Sequence, residues 1–462
     1  MTLMDPNLPM LAFPLVSHAH LTDVVATRRF SAASSQHITV ARFVADVAQL
    51  VAELPAGSHV LNACADRYHF AVGLAAAMSA RKISLLPSTH TPEMVRQMRV
   101  FAPDVFCLSD GPCTIDLPQC VYPTSWAAAD ASVTAVPQIP VDQTVAFVFT
   151  SGSTGLPVPH RKTWGALVRN VRAEAERLGL VGSAVHSIVG TVPPQHMYGF
   201  ESTVLVALQS GSVFSADHPF YPADICSALA RVDRPRVLVT TPVHLRALLD
   251  AGLEIPALDL VVSATAPLSP QLAQAAEAAL HMPLLEIYGS TETGQVATRR
   301  TAQGAEWQLF PGVQLTAQDG GTWVSGGHVE QAVPMGDVLE SLSATHFLLH
   351  GRIADLINIA GKRSSLAYLN HQLNAIEGVQ DGAFYMPEER GHDGVTRLMA
   401  FVVAPGWTQA ALLTALRERI DPIFLPRPLL LIDQLPRNST GKLPREALQA
   451  LAHNLQRPPH AV

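Results

Sequence analysis

The sequence predicts an α/β protein: a large N-terminal domain of βαβ layers plus a small antiparallel sheet over residues 1–350, and a small α+β C-terminal domain over 351–462. Three observations lead there. Through the first 300 residues strand-like runs alternate with single helix-like runs, which implies βαβ crossovers and a parallel sheet. After Arg300 the pattern changes to short alternating strands that read as antiparallel. Near residue 351 a new unit of about 110 residues opens, with strands and helices of its own.

In chain order, "SHVLNACA" (58–65) reads as a buried strand, the alanine-rich "RYHFAVGLAAAMSAR" (67–81) as a helix, and "KISLLPST" (82–89) as a strand again. "PEMVRQMRVFAP" is a helix ended by Pro103, which cannot continue the hydrogen-bond ladder, and "DVFCLSD" is a short strand. Residues 117–143, rich in Pro, Ala and Ser, read as a surface connection. "TVAFVF" (144–149) is the next strand, and beyond a loop a helix runs from about Thr163 to Leu178. Strand–helix pairs follow at 237–252 and 258–280, then the strand that opens "LLEIYGSTETG" (284–294). "WQLFPGVQLTAQ" and "TWVSGG" supply antiparallel strands, and the last unit has strands at 383–386 and 397–403.

Hydrophobic residues make up 48% of the 462 and charged ones only 15%, the balance of a globular chain with a large core. A net charge of −7 and the lack of a long Lys/Arg run argue against nucleic acid as the main partner. Cys64, Cys107, Cys113, Cys120 and Cys226 form no CxxC pair and fit no common zinc spacing, so they read as free thiols in a reducing compartment. "MTLMDPNLPMLAFPL" has no basic n-region, and no apolar run approaches the ~20 residues of a membrane span. The expected location is the cytoplasm.

The chemistry begins at "FVFTSGSTGLPV" (147–158), where a hydrophobic strand empties into hydroxyls and glycines. Small residues let a backbone approach a polyphosphate, while hydroxyl and amide groups donate hydrogen bonds to it. This is not a Walker A loop, because no lysine follows Gly155 until Lys162. Alone, it fits a flexible turn as well as a phosphate cradle. Four further segments accompany it: "PPQHMYGF" (193–200), "EIYGSTETG" (286–294), "MGD" with "HGRIADLINIAGKR" (335–337 and 350–363), and "LPRNSTGKLPREAL" (435–448). In this order and spacing the five segments resemble the core motifs of the adenylate-forming superfamily, over roughly residues 58–448. That superfamily holds acyl- and aryl-CoA ligases, acyl- and aryl-AMP ligases, peptide-synthetase adenylation domains and luciferases.

The resemblance implies a role for each matching residue. Thr150, Ser151, Gly152, Ser153, Thr154 and Gly155 match the loop that holds the β- and γ-phosphates of ATP. Tyr288, followed by Gly289 and Ser290, matches an aromatic stacked on adenine; Thr291 matches a hydroxyl on the α-phosphate, and Glu292 the Mg²⁺ ligand. Asp337 and Arg352 match the ribose-binding pair, and Arg363 closes the same motif among the nucleotide-binding residues. Lys442 matches the lysine that bridges the carboxylate and the α-phosphate. These residue types suit the reaction. A carboxylate attacking ATP brings two anions together, so Mg²⁺ and a cation must neutralise them, and in-line displacement then needs positioning more than covalent help. The resemblance also implies that the C-terminal unit is mobile, rotating after adenylation so that Lys442 leaves and a second face serves thioester formation.

Some positions depart from the pattern. Val158 stands where the family's loop usually has lysine, which leaves Lys162, Arg161 or backbone donors to compensate. The hinge motif, usually GR-x-D-D, reads "GRIAD", with Ala354 at the hinge position and Asp355 after it. The short leader before the loop and the compressed "GTWVSGGHVEQAVPMGD" point to a compact, specialised member.

The acyl pocket is expected between His196, Met197, Tyr198, Gly199 and Glu201 on one side and Ser263, Ala264, Thr265 and Ala266 on the other, His196 counting also among the catalytic residues. Amino-acid-activating members place an Asp at the position of Met197 and several aryl-activating members an Asn, so neither an amino acid nor an ortho-hydroxy acid is expected. His196 and Tyr198 can frame a flat ring, and Glu201 or a serine can bond a hydroxyl farther round it. Equally, Met197 fits plain core and Glu201 a solvated or capping acid. "TSGSTGxPxPxRKTW" resembles ligases of aryl-polyene and xanthomonadin pigment pathways, which activate hydroxybenzoate-type acids for an acyl carrier protein. The expected function is ATP- and Mg²⁺-dependent activation of a hydroxybenzoate-like acid to an acyl-adenylate, then transfer to the phosphopantetheine thiol of an acyl carrier protein. CoA would enter by the same kind of tunnel. A medium-chain fatty acyl-CoA ligase is the alternative, and a catalytically dead adenylate-binding protein is disfavoured by the joint presence of Glu292, Asp337, Arg352 and Lys442.

Overall fold

The computed structural model describes residues 11–29, 34–87, 89–123, 133–151, 157–318, 321–352, 356–359, 362–387, 397–438 and 441–456. Two large sheets dominate. The first has the spatial order Pro157–Thr163, Thr144–Ser151, Ile83–Leu86, His59–Asn62, Phe106–Ser109 and Gln119–Val121. Five of its strands run parallel, and Pro157–Thr163 returns antiparallel along Thr144–Ser151. Val60, Leu61, Phe106, Cys107 and Leu108 are all buried, as continuous apolar runs in a sheet covered by helices should be.

The second sheet has eleven strands. Its parallel centre runs Leu284–Ser290, Leu260–Ser263, Arg236–Thr240, Ser187–Gly190, Val213–Ser215 and Val24–Arg29. Antiparallel strands extend both ends: Ser35–Thr39 on one side, Gly294–Arg299, Glu306–Leu309, His346–Arg352 and Asp337–Ser341 on the other. One hydrophobic cluster joins both sheets and includes the helices Arg67–Ser79 and Trp164–Arg177. Helices start where a side chain can accept from the first-turn amides, as Thr39, Asp66, Thr91, Thr163 and Thr241 do.

Arg67 is fully buried in this core, and its guanidinium donates to the carbonyls of Gly190 and Val192 (both 2.9 Å), Ser215 (3.2 Å) and Asp217. It thereby fixes the end of the strand that leads into "PPQHMYGF". A separate three-stranded antiparallel sheet, Val313–Gln318, Gly321–Gly326 and Val329–Pro334, follows the change of pattern after Arg300. Beyond residue 356, Leu369, Leu373, Phe384, Ala400 and Leu416 form one hydrophobic cluster and Tyr385, Met399, Phe401 and Leu448 another, each drawn only from this stretch.

Three differences from the sequence reading stand out. Among its described residues the connection 117–143 holds two strands: Gln119–Val121, where Cys120 turns inward while Gln119 and Val121 face out, edges the first sheet, and Gln138–Pro140 pairs with Ala12–Pro14. "PVPHRKT" is a strand, whereas only a loop was expected before Thr163. The N-terminal strands Ala12–Pro14, Val24–Arg29 and Ser35–Thr39 and the helix Val40–Glu53 carried no expectation.

Candidate active site

Thr150 and Ser151, which open the hydroxyl-rich segment, lie on a hairpin strand, Thr150 paired to Val158 and Ser151 to Pro157. Gly152, Ser153, Thr154 and Gly155 lie outside the described residues. Thr150 shares a 2.9 Å hydrogen bond with His160 Nε2, and the same nitrogen lies 3.6 Å from Glu292. His160 thus links the base of the loop to the expected Mg²⁺ ligand. The sequence reading missed it for want of the strand: once 157–163 alternates with period two, Val158, His160 and Lys162 share a face.

Lys162 is buried, and its ammonium donates to the carbonyl of Thr291 (2.5 Å). Burial lowers its pKa, opposed by the charges of Glu201, Glu292 and Glu330. Arg161 instead points along the surface to Glu330 (3.6 Å). Of the two cations considered for the missing lysine at Val158, Lys162 is therefore the one that reaches "YGSTETG".

That segment is a tight turn. Thr293 N–H donates to Ser290 Oγ (3.2 Å) and Ser290 N–H to Thr293 Oγ1 (3.3 Å), which presents Thr291 and Glu292 at its apex. A Cβ on Gly289 would lie 2.4 Å from the carbonyl of Gly294, so only glycine allows the two strands this approach. Burial raises the pKa of Glu292, but its own amide and the Ser290 hydroxyl outweigh that and hold the carboxyl below the usual range.

Tyr288 donates from its hydroxyl to Asp337 Oδ2 (2.6 Å), and its ring packs against Trp307 and Phe347 at 5.5 and 5.8 Å. Asp337 is in register with Arg352 on the neighbouring strand. The residues that the resemblance assigns to adenine and ribose therefore adjoin. Arg363 lies on the strand Lys362–Ser365, and Ala354 and Asp355 fall outside the described residues.

His196 caps a short helix, its Nδ1 accepting from Tyr198 N–H (3.2 Å). Burial and, second, the Lys442 ammonium push its pKa down to about 4. Lys442 comes from a loop held by Asn438, whose side chain accepts from Lys442 N–H (2.9 Å). Arg437 anchors that loop through Asp381 (2.7 and 2.8 Å). Gly441 has φ +79°, and a Cβ there would lie 3.0 Å from Val243 Cγ2, so the loop rests directly on the helix Pro242–Asp250.

The two expected pocket walls are tied together by Tyr198, whose hydroxyl donates to the carbonyl of Val262 (2.9 Å). Met197 and Ser263 are buried, Gly199 lies against the Pro193 carbonyl, and Ala264 is followed by Thr265 at φ +78° and the half-buried Ala266. Glu201 is neither solvated nor a cap. It is buried and accepts from Asn170 Nδ2, and burial pushes its pKa up to about 7 against the pull of Lys162.

The description "AMP-binding enzyme" matches residues 49–321, more than half of the chain. The chain belongs to this family. Its relatives include a 4-coumarate–CoA ligase of Rhodobacter capsulatus, 32% identical over 272 residues, which are 59% of this chain and 66% of that relative, just under two thirds of its length. A 4-chlorobenzoate–CoA ligase of an Arthrobacter species is 26% identical over 366 residues, 69% of this chain and 68% of that one. The ATP-bound structure of MatB from Rhodopseudomonas palustris superposes with a TM-score of 0.79 over 95% of this chain and 97% of the other, at 19% identity, a likeness of fold. Family membership and the ligase relatives together support an adenylate-forming ligase.

No helix among the described residues is long and apolar enough to cross a membrane, and none of their His, Cys, Asp and Glu side chains gathers in threes as a metal site.

Proposed function

We propose that the protein activates a hydroxybenzoate-like aromatic acid with ATP, releasing pyrophosphate, and passes the acyl group to the phosphopantetheine thiol of an acyl carrier protein. The observation that carries the reading is the meeting of separate motifs: the loop of Lys442 rests on the helix Pro242–Asp250 within electrostatic reach of His196, while His160 joins Thr150 to Glu292.

The residues fit Mg²⁺ as a nucleotide-borne ion. Glu292 is one hard carboxylate held ionised beside the phosphate loop, and Mg²⁺ ordinarily takes one or two carboxylates plus substrate phosphates. When bound, the ion supplies neutralisation of phosphate charge. The chain does the rest. Tyr288 and Asp337 orient the nucleoside, Thr291 donates to the α-phosphate, and Lys442 brings the attacking carboxylate and the α-phosphorus together. His196, neutral because its pKa is about 4, adds no competing charge. The names of the relatives favour a second reading for the acceptor, CoA.

Pyrophosphate exchange across aryl and fatty acids, followed by CoA and a phosphopantetheinylated carrier protein as acceptors, tests the reading. Aromatic acids should exceed octanoate, and the carrier protein should exceed CoA. Failure of every acid to support exchange would refute it, and a preference for octanoate would replace it with a medium-chain acyl-CoA ligase.

A further inference from the structure

The turn that presents Thr291 and Glu292 has its backbone held by donors from two other sheets. Lys162, on the hairpin strand Pro157–Thr163, donates to the Thr291 carbonyl (2.5 Å). His328, between the strands Gly321–Gly326 and Val329–Pro334, donates from Nε2 to the Thr293 carbonyl (3.1 Å). Both donors are buried, and the carbonyls they hold flank Glu292 in sequence. With the reciprocal Ser290–Thr293 bonds they fix the main chain of the turn. They do not fix the Glu292 carboxylate. It hangs from rotatable bonds whose freedom is among the costliest for any side chain to lose.

His160 is the ring that meets this carboxylate. Its Nε2 lies 3.6 Å from Glu292 Oε1 and 2.9 Å from Thr150 Oγ1. The His160 side chain is 18% exposed and that of Glu292 40%, so the ring is largely enclosed while the carboxylate keeps a face open to a ligand. An ionised carboxylate only accepts, so the nitrogen that serves it must carry the proton. In that tautomer the Thr150 oxygen accepts from the ring as well, and its own hydroxyl hydrogen is left to donate elsewhere. Val158, two residues back on the same strand face, is exposed and has no polar side-chain atom to offer either partner.

We propose that His160 is a positioning residue for Mg²⁺-ATP: its Nε2–H holds the Glu292 carboxylate in place for the ion and leaves the Thr150 hydroxyl hydrogen free for the phosphates. This rests on the assignment of Glu292 and Thr150 to Mg²⁺ and ATP made above and deepens it. Thr150 belongs to the six-stranded sheet, whereas Glu292 follows a strand of the eleven-stranded one. One ring nitrogen therefore couples two parts of the nucleotide site that different sheets supply. Groups that orient a metal-binding side chain without touching the metal typically change its affinity by about 10–100-fold when removed.

The test is calorimetric titration of ATP into the protein at a series of Mg²⁺ concentrations, with no acid substrate present. It compares the unmodified protein with His160→Gln, His160→Asn and His160→Leu. Glutamine places its amide N–H close to where Nε2 stands, and asparagine places its own close to Nδ1. His160→Asn and His160→Leu should weaken ATP binding and raise the half-saturating Mg²⁺ concentration by on the order of tenfold or more, whereas His160→Gln should retain most of both. In pyrophosphate exchange the KM for ATP should rise in the first two variants and the KM for the acid should not, a split that a merely structural role would not produce. Mg²⁺-dependent ATP binding unchanged in His160→Leu overturns the inference. So does equal behaviour of the glutamine and asparagine variants, two polar side chains that the fold should tolerate alike. A Mg²⁺ dependence unchanged in Glu292→Gln defeats the underlying assignment instead.

Discussion

Replacing Glu174 by glutamine should stabilise the protein increasingly as pH rises. Burial, with the charge of Glu201 added, pushes the Glu174 carboxyl up to about 8 from an ordinary 4.5. An acid whose pKa is higher folded than unfolded weakens the fold as pH rises: the penalty is absent below the unfolded value, grows between about 4.5 and 8, and is complete above. Hydrogen bonds from Ser202 and Gln295 pull the other way without cancelling the burial, and no positive charge among the described residues faces the carboxyl to offset it. A carboxyl raised from 4.5 to about 8, at ~1.36 kcal/mol for each tenfold change in ionisation, sets an upper limit of about 5 kcal/mol. Glutamine does not titrate, although its own buried amide costs about 1–3 kcal/mol at every pH. The stability gap between the two proteins should therefore change by up to about 5 kcal/mol between pH 4.5 and pH 9. For 462 residues, an unfolding entropy of about 2.1 cal/mol/K per residue makes this about 5 °C in Tm. Thermal melts of both proteins in matched buffers, without substrates, measure it. A gap that stays constant across that range would mean that the carboxyl ionises freely in the folded state, and the argument for a sealed acid would fail.

Two more outcomes follow from the site. Lys442→Ala should lose on the order of 10²–10³ or more in acyl-adenylate formation, while thioester formation from a supplied adenylate stays nearly unchanged; separate assays of the two half-reactions check this, and equal loss in both would refute a moving lysine. Arg67→Met strands four backbone carbonyls and should cost more than about 4 kcal/mol, read as a large fall in the denaturation midpoint.

Much of the fold was legible because local pattern and final structure agree. The helix Trp164–Arg177 begins at the Thr163 cap where the sequence reading placed it, and the first-sheet strands His59–Asn62, Ile83–Leu86, Phe106–Ser109 and Thr144–Ser151 are apolar runs already quoted. What stayed hidden is pairing. "PVPHRKT" contains two prolines and three basic or imidazole side chains, so its strand character comes from Thr144–Ser151 alongside it, not from its own propensity. With the strand unseen, His160 and Lys162 had no face and no neighbours. Glu174 was hidden differently. Its helix is polar enough that "RAEAER" reads as an exposed face, and the packing of the π-helical turn Phe200–Leu205 and the strand Gly294–Arg299 against that helix, unseen in the sequence, leaves the carboxyl buried. Motif residues such as Tyr288 and Asp337 were legible singly, through the resemblance; the hydrogen bond between them was not.

The strand Val24–Arg29 is flanked by Ser35–Thr39 and by Val213–Ser215. During translation the second neighbour arrives long after the first: at roughly 5–20 residues per second, the chain from residue 29 to residue 215 takes roughly 10–40 s to emerge. For that interval the hairpin presents an unpaired edge to the crowded space around the ribosome. Its sequence, "VVATRR", ends in two arginines, charges that discourage another chain from adding a strand there. Closure of the largest sheet is thus a late event, and the N-terminal segment must wait for its partner without aggregating.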